Sequence, residues 1–181
     1  FSRRLDGARQ KLFAARERRI HPYKDDKILT DWNGLMIAAA AVASRSLDEP
    51  TYAVAARRAA DFALDKLRDS RGRLLKRYRA GEAGLSAHLE DYAFLIWGLI
   101  EVYETTFEAR YLEEAAALQR MQLLHYWDAT SRGFFLTADD VEALIARPRE
   151  VYDGALPSGN SVSLVNLLRL SRMTGEPEFE K

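Results

Sequence analysis

Thr30-Asp31-Trp32-Asn33-Gly34-Leu35-Met36-Ile37-Ala38-Ala39-Ala40-Ala41-Val42-Ala43-Ser44 decides the fold. An acidic and polar cluster opens it, and scarcely a charged residue comes after on any face. A helix without a wet face expects burial all round. Thr30 or Asp31 suits the N-cap. After the break at Asp48-Glu49-Pro50 comes a helix of different character. Between Thr51 and Arg68, Tyr52, Ala55, Ala59, Phe62 and Ala63 form one apolar stripe, with Arg57, Arg58, Asp61, Asp65 and Lys66 mostly away from it.

The same pair recurs. Glu90-Asp91-Tyr92 opens a second apolar helix to Tyr103, broken only by Glu101. A charged amphipathic helix from about Ala109 to Tyr126 comes next, with Tyr111, Ala115, Leu118 and Met121 on one side. Ser158-Gly159-Asn160-Ser161 opens a third apolar helix to about Arg172, and its partner has only begun at Glu178-Phe179. Asp31 and Asp91 lie 60 positions apart, Tyr52 and Tyr111 lie 59 apart, and Gly72 and Gly133 lie 61 apart. That period far exceeds the ~34 residues of a tetratricopeptide solenoid. Helices without a wet face need covering by helices that have one, so the alternation predicts two concentric rings. The fold class is all-α: a partial (α/α)6 toroid of helical hairpins with short β-hairpin-like connections at Gly72–Tyr78 and Gly133–Thr137. Helices near 32–44, 91–104 and 160–172 form the inner ring, and those near 51–68 and 109–126 the outer. Residues 5–19 read as a charged helix ended by Pro22.

Composition narrows the function. Lysine plus arginine and aspartate plus glutamate each total 27, which argues against a nucleic-acid or anionic-membrane surface. The basic stretch from Arg3 to Arg19 reads as a solvated helix face. With no cysteine there is no disulfide, thiolate metal site or cysteine nucleophile. No apolar run has transmembrane length, and a cytoplasmic home is the default expectation. The chain starts at Phe1 and stops at Lys181 just inside a new helix, so it reads as a piece of a longer protein. Three copies leave inner-helix surface open, to be covered by the remainder of the polypeptide or by self-association.

Register places the three polar clusters at one end of the toroid, where helix N-termini carry free N–H groups and partial positive charge. Asp31, Asp91 and Asn160 either cap their own helices or face a shared mouth. His88, Glu90 and Asp91 are the densest titratable group and suit general acid–base work, with Asp31 as a further carboxylate. Alternatively the carboxylates cap a helix and His88 is a loop residue. Trp32, Tyr92, Phe134 and Phe135 offer faces for sugar rings or close the core. Asn33, Asp153, Ser158 and Asn160 supply hydrogen-bonding groups for a ligand, although Pro157 and Gly159 also suit an ordinary turn. His21 and His125 read as structural. No metal motif, phosphate loop or nucleophile elbow is present, and no cofactor is expected.

The strings Asp25–Met36, Leu89-Glu90-Asp91-Tyr92-Ala93-Phe94, Gly133–Thr137 and Tyr152–Ser161 resemble the spermatogenesis-associated thioredoxin-like proteins, whose bacterial members are of the YyaL type. The resemblance covers nearly the whole chain. It implies a helical toroid similar to six-hairpin glycosidases and N-acylglucosamine 2-epimerases, and a thioredoxin-like domain that this chain lacks. It supplies a sugar-enzyme neighbourhood without a reaction. The function expected is therefore a carbohydrate-type ligand or catalytic cavity, of sugar isomerase, epimerase or glycoside hydrolase type. The alternative is a non-catalytic binding or scaffold module serving the thioredoxin-like domain.

Overall fold

The computed structural model describes residues 2–141 and 145–180; the terminal Phe1 and Lys181 lie outside the described residues. Among the described residues, six helices are arranged in the order α1 (Ser2–Glu17), α2 (Thr30–Leu47), α3 (Pro50–Lys66), α4 (Leu89–Thr106), α5 (Ala109–Tyr126) and α6 (Gly159–Thr174). A short 3-10 turn, Pro177–Glu180, comes after α6. Strands β1 (Ile28–Leu29), β2 (Leu75–Arg79) and β3 (Glu82–Ser86) form one antiparallel sheet in that order, and β4 (Trp127–Asp128) pairs with β5 (Gly133–Phe134). Among the described residues, no helix is long and apolar enough to cross a membrane.

Helices α2, α4 and α6 are the inner layer, with α3 and α5 outside. The core gathers Ile37, Ala41, Tyr92, Leu95, Ile96 and Leu99 from the inner helices with Ala56, Ala60, Tyr111, Ala115 and Leu118 from the outer ones. Twelve of the eighteen residues of α4 are buried, against three of seventeen in α3, so the expected layering holds.

Four expectations are corrected. Helix α2 is not buried all round: Trp32, Met36 and Leu47 are exposed. It packs on α3 and α4, and its far side meets no described residue. Leu164, Val165 and Leu168 of α6 are exposed for the same reason at the other edge. The α3 stripe is turned by about one residue, so Ala56, Ala60 and Ala63 are buried while Tyr52 and Ala55 face solvent. The cap of α2 is Leu29 rather than Thr30 or Asp31, because β1 delivers the chain extended to the helix start. Finally, β3 is an additional strand. Ala80 (φ 52°) and Gly81 (φ 88°) form a two-residue left-handed turn that folds it back on β2.

Close approach of the inner helices rests on glycines. A Cβ on Gly34 would lie 2.5 Å from the Phe94 carbonyl carbon and 2.6 Å from Leu95 N. One on Gly98 would lie 2.9 Å from Gly34 O. At the other seam, a Cβ on Gly159 would lie 2.8 Å from Leu89 Cγ. Gly34→Ala therefore has to push α2 and α4 apart, and about 1–3 kcal/mol of stability is expected to be lost. Urea unfolding checks this, with Gly7→Ala, where no atom lies within 4 Å, as the control. Equal midpoints for both variants would refute the close crossing.

Candidate functional site at the N-terminal end of the inner helices

Local structure sets the site before any side chain is placed. β1 pairs with β2, and Thr30 Oγ1 donates to Leu75 O at 2.5 Å, so the start of α2 is fixed to β2. Lys76 is the next residue on that strand. Tyr92 OH, from the first turn of α4, accepts from Leu74 N at 3.1 Å and Arg73 Nε at 3.3 Å, which ties the same segment to α4. Lys76 is thereby held between the first turns of α2 and α4.

Asp31 and Asp91, the repeat-related pair, meet there. Asp91 Oδ1 accepts the Asp31 backbone N–H at 3.1 Å, and Asp91 Oδ2 accepts the His88 N–H at 2.7 Å. Lys76 Nζ lies 3.3 Å from both Asp31 Oδ2 and Asp91 Oδ2. Asp31 Oδ1 accepts Trp32 N–H at 2.8 Å. The Asp91 side chain has no exposure, whereas those of Asp31 and Lys76 keep 15% and 26% of theirs. A ligand at the surface can touch Asp31 and Lys76 but not Asp91.

Electrostatics reflect this layering. Desolvation raises Asp91 to about 7; Lys76 and the His88 N–H pull the other way, and Asp31 adds to the rise. Burial works against the Lys76 ammonium, but Asp91 and Asp31 outweigh it and hold its pKa above the usual lysine value. Both partners shift upward because the carboxylate is enclosed while the ammonium reaches water. Burial, then the Lys76 charge, hold His88 below the ordinary imidazole value despite Asp31. Burial raises Glu90, with Glu150 and Asp31 adding to it against its own backbone N–H and Lys76.

The remaining sequence-predicted residues divide. His88 and Glu90 are half-buried beside the pair, and Trp32 is exposed next to Asp31. Asn33 Nδ2 donates to Leu29 O at 2.7 Å, closing the first turn of α2. Tyr92 offers no stacking face: it is wholly buried and packs on Tyr126 with centroids 5.3 Å apart. Phe134 is buried edge-on against Trp127. Phe135 lies beneath the guanidinium groups of Arg147 and Arg149. Asn160 accepts Phe134 N–H at 2.8 Å and donates to Phe134 O and Glu150 O, so its amide fastens α6 to β5 instead of standing free for a hydroxyl. Ser158 caps α6 through Ser161 N–H. Asp153 accepts from Ser158 N and Ser161 Oγ, and these bonds hold its carboxyl below the usual range. Asp153 and Ser158 therefore serve the loop-to-helix junction.

Sequence reading missed Lys76, whose signal was only its place in an extended segment. Nor did it anticipate that His125, read as structural, meets Asp139 and Asp140, the three bringing ligand-type atoms within 4.8 Å of one another; Arg73 Nη1 already lies 2.6 Å from Asp140.

The upward shift of Asp91 has a sign for stability. Between its unfolded value near 3.8 and its folded value of about 7, the native state binds more protons than the unfolded one. The contribution of Asp91 is thus fully favourable below about pH 4 and declines as pH rises through 7. Asp91→Asn is expected to flatten the fall in stability over that window. Urea unfolding at four pH values checks this, and an unaltered slope would count against an enclosed Asp91.

No family model matches the chain. Spermatogenesis-associated protein 20 of Homo sapiens is 37% identical over 97% of the chain and 24% of its own length, and the Rattus norvegicus protein is 37% identical over 97% and 23%. An uncharacterized Caenorhabditis elegans protein is 31% identical over 98% of the chain and 25% of its own length. The chain spans about a quarter of these curated relatives. Among solved structures, cellobiose 2-epimerase from Bacillus thermoamylovorans superposes with a TM-score of 0.71 at 17% identity, over 88% of the chain and 43% of the epimerase. A family 105 glycoside hydrolase from C. acetobutylicum gives 0.67 at 18% identity, over 84% and 44%. A family 76 α-mannanase from Bacteroides thetaiotaomicron gives 0.66 at 12% identity, over 89% and 40%. At these identities the likeness shows the fold: the chain is built as part of a helical toroid of the six-hairpin glycosidase and sugar epimerase kind.

Proposed function

We propose that this chain is the helical-toroid portion of a spermatogenesis-associated thioredoxin-like protein, and that the N-terminal end of its inner helices acts on or binds a carbohydrate. The carrying observation is the junction of Asp31, Asp91 and Lys76, where equivalent aspartates of two successive hairpins share one ammonium. Toroids built the same way include sugar epimerases and glycosidases, which supports a sugar as the ligand class.

The chemistry divides by exposure. Asp31 and Glu90 are the carboxylates within reach of a ligand, and burial, which raises Glu90 above the usual carboxylate value, favours its proton-donating form. A largely neutral His88 imidazole is a proton acceptor near pH 7. Asp91 is a positioning residue: it holds the Asp31 and His88 backbones and the Lys76 ammonium. Such a set serves glycoside cleavage through paired carboxylates, or proton removal beside a sugar carbonyl.

A second reading has its own observation. Asp91 spends its oxygens on two backbone N–H groups and a lysine, as a purely structural residue does. On that reading the toroid is a non-catalytic scaffold for a thioredoxin-like domain.

Calorimetric titration with a panel of neutral mono- and disaccharides separates the two. Carbohydrate binding is expected, weakened tenfold or more by Asp31→Asn and His88→Ala at an unchanged melting temperature. Absence of binding across the panel would leave the scaffold.

A further inference from the structure

Tyr52 and Tyr111 hold equivalent places in successive outer helices, yet their surroundings differ. Tyr111 of α5 is wholly buried, and its hydroxyl donates to Asp61 of α3 at 2.9 Å. Ion pairs join the same two helices: Arg57 Nε lies 3.2 Å from Glu108, and Arg110 meets Asp61. Tyr52 of α3 is 43% exposed. Tyr52, Ala55 and Ala59 recur at helical spacing on one side of α3, opposite the side that carries Arg57 and Asp61 toward α5. Tyr111 is covered because α3 stands beside α5. Among the described residues, no outer helix stands on the matching side of α3.

Helix α2 has the same asymmetry. Inner helix α4 lies between two others, α2 and α6, whereas α2 has an inner neighbour on one side alone among the described residues. Gly34 and Arg45 mark the side that meets α4. Trp32, Met36 and Leu47, all exposed, lie on the opposite side.

Helix α1 packs into none of this. From Arg3 to Glu17 every residue but Gly7 is exposed. Leu5, Ala8, Leu12 and Ala15 form one stripe, flanked by Arg4 and Lys11 on one side and by Arg9 and Arg16 on the other. Sixteen residues with a glycine inside are marginal as a lone helix, because packing supplies most of a helix's stability. Chain order gives α1 its place. Outer α3 precedes inner α4, outer α5 precedes inner α6, and α1 precedes inner α2. Charge agrees: residues 3–19 hold seven of the 27 basic residues and two of the 27 acidic ones, so the remainder of the chain is net acidic.

We infer that α1 is the outer helix that belongs beside the Tyr52 edge of α3, with its leucine stripe laid on an apolar inner helix supplied by sequence ahead of it. That inner helix also stands against Trp32 and Met36, so one further hairpin covers the open sides of α1, α2 and α3, and its end joins the mouth next to Asp31. The chain spans about a quarter of its curated relatives, which leaves room for such a hairpin. The inference rests on the reading that this chain is a portion of a longer toroid, and it is independent of the ligand.

Hydrogen exchange in α1 and peroxide oxidation of Met36, both read by mass spectrometry, compare the 181-residue chain with the longer polypeptide that contains it. In the chain alone, α1 is expected to exchange almost unprotected and Met36 to oxidise freely. In the longer polypeptide, α1 exchange is expected to slow by about 100-fold or more and Met36 oxidation by about tenfold. Leu12→Asp is expected to abolish that protection while leaving the melting temperature of the 181-residue chain unchanged. Should Leu12→Asp prevent the longer polypeptide from folding, Leu12→Ala and the wild-type exchange decide. A covered Met36 with α1 still exchanging freely overturns the seat of α1 and keeps the toroid reading. Both remaining open overturns both. A protected α1 beside an open Met36, or protection that survives Leu12→Asp, overturns the inference. So does slow α1 exchange in the 181-residue chain itself, where dependence on protein concentration assigns the stripe to a second copy and dependence on phosphatidylserine vesicles assigns it to an anionic membrane.

Discussion

Two glycines set the distance on which the structure depends. Gly34 and Gly98 let the backbones of α2 and α4 touch, and any side chain at Gly34 would collide with the α4 main chain. Only at that separation can the Asp91 carboxylate reach the Asp31 backbone N–H at 3.1 Å. The bond does two things at once. It satisfies one of the free donors at the start of α2, which has no side-chain cap of its own. It also fixes the rotation of α2 about its axis, so that the Asp31 side chain points at Lys76. Packing thus produces the electrostatics of the site.

The inner layer is pinned at both ends by charge, and the two ends differ. At the C-terminal end, Glu101 is nearly buried but faces two arginines and an indole N–H, which hold its carboxyl below the usual range against desolvation. It is a satisfied carboxylate that joins α2, α4 and α6. At the N-terminal end Asp91 is more deeply enclosed, and one lysine is shared between it and Asp31. Desolvation wins there, and the carboxyl rises to about 7. The same chemical group, buried on the same helix, is stable charge at one end and a titrating group at the other. Desolvating a carboxylate that shares its one lysine with a second carboxylate is a cost, and perturbed groups of this kind gather where binding or chemistry needs them.

Much of this was legible in the chain. A spacing of 60 residues between Asp31 and Asp91 is a statement about neighbours, because equivalent positions of successive hairpins lie side by side on a ring. The all-apolar run of α4 announced its place between two layers. What stayed hidden depended on information a single helix pattern does not hold. Exposure of Trp32 and Met36 is set by what stands beside α2, not by α2 itself. The second strand of the hairpin needed Ala80 at positive φ, a conformation its side chain does not advertise. Tyr92 read either as a stacking face or as a ring that closes the core, and neither reading held its hydroxyl, which is the anchor for Leu74 and Arg73. Lys76 gave no sign beyond its place in an extended segment, since its role comes from strand pairing that carries it between two helix starts.

Those hidden features share a cause that bears on function. Most belong to a connection, or to the contact a connection makes, not to a helix by itself. The helices are repeated and fix a frame; the hairpin β2–β3 and the loop from Glu150 to Pro157 differ from copy to copy. At the seam between α2 and α4, the hairpin supplies a cation to two carboxylates. At the seam between α4 and α6, the corresponding place is taken by the amide of Asn160, closed onto Phe134 and Glu150 by neutral hydrogen bonds. One repeated geometry therefore yields a charged seam beside a neutral one. Had the frame alone required polar residues at helix starts, both seams would carry similar groups. The difference between them concentrates titratable chemistry at Asp31, Lys76, His88 and Glu90, and leaves the N-terminal part of the α4–α6 seam to neutral hydrogen bonds and to apolar contact among Ala93, Phe94 and Val162.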